Sequence, residues 1–243
     1  MNAQRFYVGC AGWSLGREHL LAFPTQGTHL QRYAAILGSV EINSSFYRPH
    51  RRQTYARWAD SVPADFRFCV KMPKLISHVR RLQHCEQELD DFLGQCLGLG
   101  DRLGCLLLQL PPSLAFAEPL ADAFFVALRQ RFFGEVVLEP RHESWTDAEP
   151  LLVRHRIAQA VVDPSRISTD STPRGWQGVK YWRLHGSPRI YYSAYEQHWL
   201  ENLAHTFKAT AEGQATWCMF DNTASGAALG NALTLAASLH GEA

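Results

Sequence analysis

The chain has 243 residues, 46% of them apolar and 19% charged, which is the make-up of an ordinary globular protein and excludes a disordered tail, a collagen-like strand or a low-complexity repeat. Its 24 basic residues meet 23 acidic ones for a formal charge of +1, so no overall field draws it onto nucleic acid or anionic lipid, and any anion site must be local. Lysine stands only at Lys71, Lys74, Lys180 and Lys208; the other 20 basic residues are arginine, which suits planar, two-pronged anion contacts. In chain order, short apolar and β-branched runs predict eight strands: Phe6–Cys10, Val40–Asn43, Arg67–Lys71, Gly104–Leu110, Val136–Glu139, Ala158–Asp163, Lys180–His185 and Thr216–Asp221. Helical periodicity falls between most of them, over Leu30–Leu37, Tyr55–Val62, Cys85–Leu97, Leu120–Phe132, Ala194–Thr210 and Ala227–Leu239. The stretch 165–177 is rich in Ser, Thr, Pro and Gly and reads as an irregular loop.

Eight strands alternating with helices, at about 30 residues per unit, predict a parallel α/β fold. Count and length favour a single (β/α)8 TIM-type barrel over an open doubly wound sheet, with strands inside, helices outside and one domain over residues 1–243. The N-terminal stretch lacks a signal-peptide pattern, and no apolar run approaches the roughly 18 residues of a membrane span, so a cytoplasmic location is expected. Six cysteines with no paired spacing suggest free, mostly buried thiols and exclude a zinc knuckle.

Successive side chains on a strand face opposite ways, so parity sorts the residues. One set is nearly all apolar (Val40, Ile42, Phe68, Val70, Leu106, Leu108, Val136, Leu138, Trp182, Leu184) and suits the faces beneath helices. The other reads Glu41, Asn43, Cys69, Lys71, Leu107, Gln109, Val137, Glu139, Arg141, Tyr181, Arg183, His185, and its polarity rises toward each strand's C-terminal end. In barrels that rim carries the chemistry, so these strand-end residues are the site candidates.

Seven blocks in fixed order carry a resemblance: GCAGWS at 9–14, VEINSSFYRP at 40–49, FCVKMPK at 68–74, LLLQLPPS at 106–113, LEPRHESW at 138–145, YWRLHG at 181–186 and FDNTASGAALGNA at 220–232. On these the chain resembles the YecE-like family, domain of unknown function 72, over nearly its whole length, and the resemblance implies a TIM-barrel-like fold. The last block departs from the family's usual Phe-Asn-Asn pattern: Asp221 follows Phe220, which adds a carboxylate at the rim. The family supplies no activity, and a fold does not by itself give one.

The residue types must therefore indicate the chemistry. Glu139, Arg141, His142, Arg183 and His185 gather acid, base and cation at one rim, as acid–base work on an anionic substrate requires. In that reading Arg141 and Arg183 clamp negative charge, Lys71 adds electrostatic stabilisation with Glu41 tuning it, Glu139 and His185 transfer protons, and Gln109, Asn43 and Asn222 orient a phosphate- or carboxylate-bearing ligand. The plain alternative is a buried salt-bridge network in which Glu41 and Glu139 neutralise Lys71, Arg141 and Arg183. Schiff-base chemistry at Lys71 is disfavoured, because nearby carboxylates should raise its pKa. A glycosidase-like pairing of Glu41 with Glu139 is weakened by the seventh strand, which ends in Arg183-Leu184-His185 without a carboxylate. A divalent metal on Glu139, His142, His185 and Asp221, as in a phosphodiesterase or endonuclease, lacks any helical HExxH spacing and is not favoured. Trp13, Tyr47, Trp145 and Tyr195, with Phe46, Tyr191 and Tyr192, follow strand ends where rings could stack on bases or sugars. With basic clusters at Arg48, His50, Arg51 and Arg52 and at Arg80 and Arg81, they make a non-catalytic nucleic-acid or nucleotide binder the rival class.

Overall fold

The computed structural model describes residues 6–165, 167, 172–210 and 213–241. In order they form β1 (Phe6–Cys10), α1 (His29–Ala34), β2 (Ser39–Ile42), α2 (Arg52–Asp60), β3 (Arg67–Lys71), α3 (Glu86–Cys96), β4 (Leu103–Gln109), α4 (Glu118–Arg129) and β5 (Glu135–Glu139). There follow α5 (Glu149–Arg154), β6 (Ile157–Gln159), β7 (Val161–Asp163), β8 (Arg174–Gly175), β9 (Val179–Leu184), α6 (Gln197–Thr210), β10 (Ala215–Phe220) and α7 (Ala227–His240). Local signals explain several boundaries. Thr28 and Gln31 form a reciprocal capping box that starts α1, and Pro119 sits in the first turn of α4, where its missing N–H costs nothing. The short helix α5 escapes the periodicity reading because six residues hold too little pattern.

The strands make two sheets, β1-β10-β9-β7 and β2-β3-β4-β5-β6-β8, parallel throughout except for the antiparallel β8. The fold is thus mixed α/β with parallel sheets, and the expected single closed (β/α)8 barrel is not seen. Two local features account for the difference. The run read as one strand over 158–163 divides at Ala160: β6 pairs with β5, whereas β7 pairs with β9 in the other sheet. The predicted loop at 165–177 contributes β8, which pairs with β6, while 166 and 168–171 lie outside the described residues.

At the remaining boundary β1 approaches β2, but the ladder there shrinks to one bridge, Ala11 with Glu41. A side chain does the stitching. The buried Tyr33 hydroxyl accepts from the Cys10 N–H (2.8 Å) and donates to the Ser39 carbonyl (3.0 Å), joining the two strands through α1. Gly9 permits the approach, since a Cβ there would lie 2.0 Å from the Ser39 oxygen.

Parity then divides the interior. The larger apolar cluster includes Val40, Ile42, Phe68, Val70, Leu106, Leu108, Val136, Leu138, Trp182 and Leu184, packed with helix residues such as Phe125 and Leu235. A smaller cluster holds the opposite faces: Cys69, Cys105, Leu107 and Val137 from one sheet meet Tyr181, Trp217 and Met219 from the other. Gly104 leaves room for the Trp217 indole, whose ring would lie 2.4 Å from a Cβ there. All six cysteines are free and buried, as the spacing suggests. Among the described residues no helix is long and apolar enough to cross a membrane.

Tyr33→Phe removes the hydroxyl and leaves a buried N–H and carbonyl without it, so we expect a loss of about 1–3 kcal/mol. Urea denaturation measures it; an unchanged midpoint would show that the hydroxyl does not join the sheets.

Candidate functional site

The smaller cluster is the floor on which the polar residues stand. Moving one inward-facing position toward the C-terminal end takes Cys69 to Lys71, Leu107 to Gln109, Val137 to Glu139, Tyr181 to Arg183 and Met219 to Asp221. In the register of the ladders Gln109 lies beside Glu139, and Arg183 lies beside Met219. Side chains from both sheets therefore converge above one apolar layer.

Arg183 is their centre and is fully buried. Its Nε and Nη2 donate to the two oxygens of Glu41 (3.0 and 2.8 Å), its Nη1 to Glu139 Oε2 (2.9 Å), and Nη2 lies 2.9 Å from Asp221 Oδ2. Tyr181 donates a further bond to Glu41 (3.2 Å). The guanidinium fork is thus spent on three carboxylates, which matches part of the salt-bridge alternative and leaves Arg183 no free edge for a ligand. Glu41 and Glu139 share this one cation, so they do not face each other across a substrate gap as a glycosidase pair does.

The cations around this core are placed differently. Arg141 bonds Glu139 Oε1 through Nε (2.8 Å), and its side chain keeps 20% exposure. The ring of His185 lies between Asp221 (Nδ1, 3.1 Å) and Glu139 (Nε2, 3.5 Å). Burial pushes its pKa down, but the two carboxylates outweigh burial and raise it above the ordinary histidine value. Burial also pushes Glu139 and Asp221 up, yet Arg183 and His185 hold Glu139 well below the ordinary carboxylate range and Asp221 below it.

Lys71 stands apart. It is 5% exposed, its ammonium sits 4.3 Å from the centre of the Phe46 ring, and among the described residues no carboxylate pairs with it. Burial, helped by the charge of Arg183, lowers its pKa from 10.5 to about 8; Glu41, Glu139 and Asp221 offset this only in part. The carboxylates do act upward as expected, but burial, with the repulsion of Arg183 added, outweighs them and the net shift is downward.

The other candidates scatter. Gln109 is 7% exposed at this level, while Asn43 Oδ1 and Asn222 Oδ1 are buried without a partner. Asn222 donates to Ser193 O and Asn231 Oδ1 (both 2.9 Å), which orders a loop rather than a ligand. His142 turns to Ser144 (2.9 Å) and caps a short turn, so the four proposed metal ligands do not gather; among the described residues no group of three His, Cys, Asp or Glu side chains is arranged for a metal. Of the aromatics, Trp145 is buried and donates to Leu114 O (2.9 Å), and Tyr195 is buried with its hydroxyl on Asp163 (2.7 Å). Both are packing residues, because each polar tip is already satisfied. Trp13 is half-buried against Trp58, and Tyr47 is exposed. Arg48, His50 and Arg51 line a surface cleft with Arg57 in which no residue of the Arg183 cluster takes part, and Arg52 reaches Gly94 O.

Of the other rim aromatics, Tyr191 meets Arg141 (3.5 Å) and sets its ring edge-on to His185. One residue, His78, escaped the sequence reading. His78 lies in a five-residue π-helical turn, Leu75–Val79, edge-on to Phe46 and bonded to Ser77 (2.8 Å). Burial and the charges of Lys71, Lys74, Arg141 and Arg81 lower its pKa, the opposite direction to His185. The only signal was a histidine four residues beyond the FCVKMPK block.

Arg183→Met strands three buried carboxylates, so we expect it to destabilise the fold by roughly 3–5 kcal/mol at pH 7. The penalty should shrink toward pH 4, where the unpaired carboxyls take up protons. Denaturation at both pH values checks this; a small, pH-independent loss would mean that the carboxylates do not depend on Arg183.

Comparison with known proteins places this arrangement in a family. The family described as protein of unknown function DUF72 matches residues 7–243. UPF0759 protein YecE of Escherichia coli K12 is 31% identical over 169 residues, 69% of this chain; the match spans only 60% of that relative's length. A DUF72 family protein of Enterococcus faecalis V583 superposes with a TM-score of 0.80 at 18% identity, over 100% of both chains. One from Thermotoga maritima MSB8 superposes with 0.76 at 24% identity, over 96% of this chain and 98% of that one. The chain belongs to the DUF72 family.

Proposed function

We propose that this protein is an enzyme that binds a small phosphate- or carboxylate-bearing ligand above the Arg183 cluster, with Lys71 and Arg141 meeting the negative charge and His185 supplying a proton. The observation that carries the reading is the state of Lys71, a buried cation over an aromatic ring with no carboxylate paired to it among the described residues. Four basic groups (Lys71, Arg141, Arg183, His185) meet three carboxylates (Glu41, Glu139, Asp221), so the cluster has positive charge to spare while His185 is protonated. An anion at Lys71 would supply the partner that burial denies it.

The roles differ from a simple arginine clamp. Arg183 holds the three carboxylates in place, and Glu139 and Asp221 in turn hold His185 as a proton donor, since both stay ionised. Arg141, partly exposed, and Gln109 orient the ligand. This division of labour is general acid catalysis beside an electrostatic anion site.

Calorimetric titration with inorganic phosphate tests it. Binding is expected at pH 7 and should weaken about tenfold or more by pH 9.5, because the Lys71 cation is present below its pKa of about 8 and lost above it. Lys71→Met should weaken binding at pH 7 by a similar factor while remaining folded, because it removes a buried unpaired charge. Failure of phosphate and acetate to bind at pH 7, or equal affinity in Lys71→Met, would refute the reading. An oligonucleotide that binds more tightly than phosphate, and is lost steeply with salt, would favour the Arg48–Arg57 cleft and nucleic acid instead.

A further inference from the structure

A cavity of about 450 Å³ opens beside the anion site, between α2, α3, the turn Ser44–Phe46 and the π-helical turn Leu75–Val79. That size falls within the range of small-ligand sites. Its walls are largely apolar: Phe46, Tyr47, Tyr55, Leu75, Val79 and Phe92. Tyr47, Leu75 and Val79 are 76%, 45% and 62% exposed, an unusual grouping of large apolar side chains at one place on the surface.

Three further observations say what the cavity suits. Tyr55 is fully buried, and among the described residues its hydroxyl has only the Ser45 hydroxyl beside it, which itself donates toward the carbonyls of Ile42 and Lys71, so the Tyr55 hydroxyl has no carbonyl or charged partner of its own. Burial raises the Tyr55 pKa, so the hydroxyl stays a donor. The charges at the edge are unequal: Glu88 is paired with Arg80 (2.9 Å), which leaves Lys74 and Arg48 against the single carboxylate of Asp91, none of the three with an ion pair among the described residues. Finally, Phe46 belongs to both places: its ring lines the cavity and carries the Lys71 ammonium.

We infer that the cavity receives the planar aromatic or heteroaromatic part of the same ligand whose anionic group meets Lys71, with a ring acceptor bonded by Tyr55. The inference rests on the anion site proposed above and names the substrate class as an anion attached to a flat ring. Aromatic walls suit such a ring by edge and face contacts, and the free cations at the rim suit its charge.

Binding of inorganic phosphate, methyl phosphate, phenyl phosphate and 4-nitrophenyl phosphate, followed by calorimetry, tests it. Phenyl phosphate should bind roughly tenfold or more tightly than methyl phosphate, because its ring is buried. The nitro compound should bind more tightly still, and Tyr55→Phe should abolish that extra gain alone. Val79→Trp, which fills the mouth from an exposed position, should erase the advantage of the aryl esters while inorganic phosphate binds as before. If phosphate binds but phenyl and methyl phosphate bind equally, the cavity assignment falls and the anion site stands. If neither inorganic nor methyl phosphate binds, the anion reading falls and takes this inference with it.

Discussion

The guanidinium of Arg183 is the point on which the interior is organised. A carboxylate brought under an apolar roof costs several kcal/mol unless a cation meets it with good geometry, and here three arrive from three strands or strand ends. Lysine, a compact point charge, could not bond Glu41 with two parallel N–H groups and still reach Glu139 and Asp221. A network of this depth is poor material for stability alone, since apolar side chains of equal volume do as well or better. What it achieves is fixed charge: two carboxylates flank His185 and raise its pKa, and among the described residues Lys71 is left without an ion pair.

The two-sheet arrangement serves the same end. The larger apolar cluster anchors the helices, and the smaller one closes the space below the charged layer with Tyr181, Trp217 and Met219. Water is excluded from beneath, so the charges interact through a medium less polarisable than solvent. Where the ladder is interrupted, at Ala160 and between β1 and β2, main-chain and side-chain bonds keep the two sheets in register, and both supply residues to the cluster.

Much of this was legible in the alternation of the strands. Parity separates Val40, Phe68 and Leu108 from Glu41, Lys71 and Glu139, and the polar set does meet above an apolar floor. Alternation assigns a face but not a partner, which is why Arg183 reads as a ligand clamp in sequence and is found saturated by its own carboxylates. The pKa of Lys71 was misjudged for the same reason: counting nearby acids ignores both depth and the repulsion of Arg183. Aromatic residues after strand ends are ambiguous by nature. Trp145 and Tyr195 turn inward and satisfy their polar atoms on Leu114 and Asp163, while Phe46, from the same kind of position, carries the lysine. The division of the sixth run at Ala160 is marked by no Gly or Pro, since Ala-Gln-Ala runs straight into Val-Val-Asp.

The central claim is that Arg183 consumes the carboxylates and leaves Lys71 an unpaired, buried cation. NMR titration of the Lys71 side chain in the native protein measures this directly. A midpoint near 8, well below the ordinary lysine value of 10.5, is the predicted result. A midpoint at or above 10.5 would show that the carboxylates outweigh burial at Lys71, and would remove the basis for an anion site there.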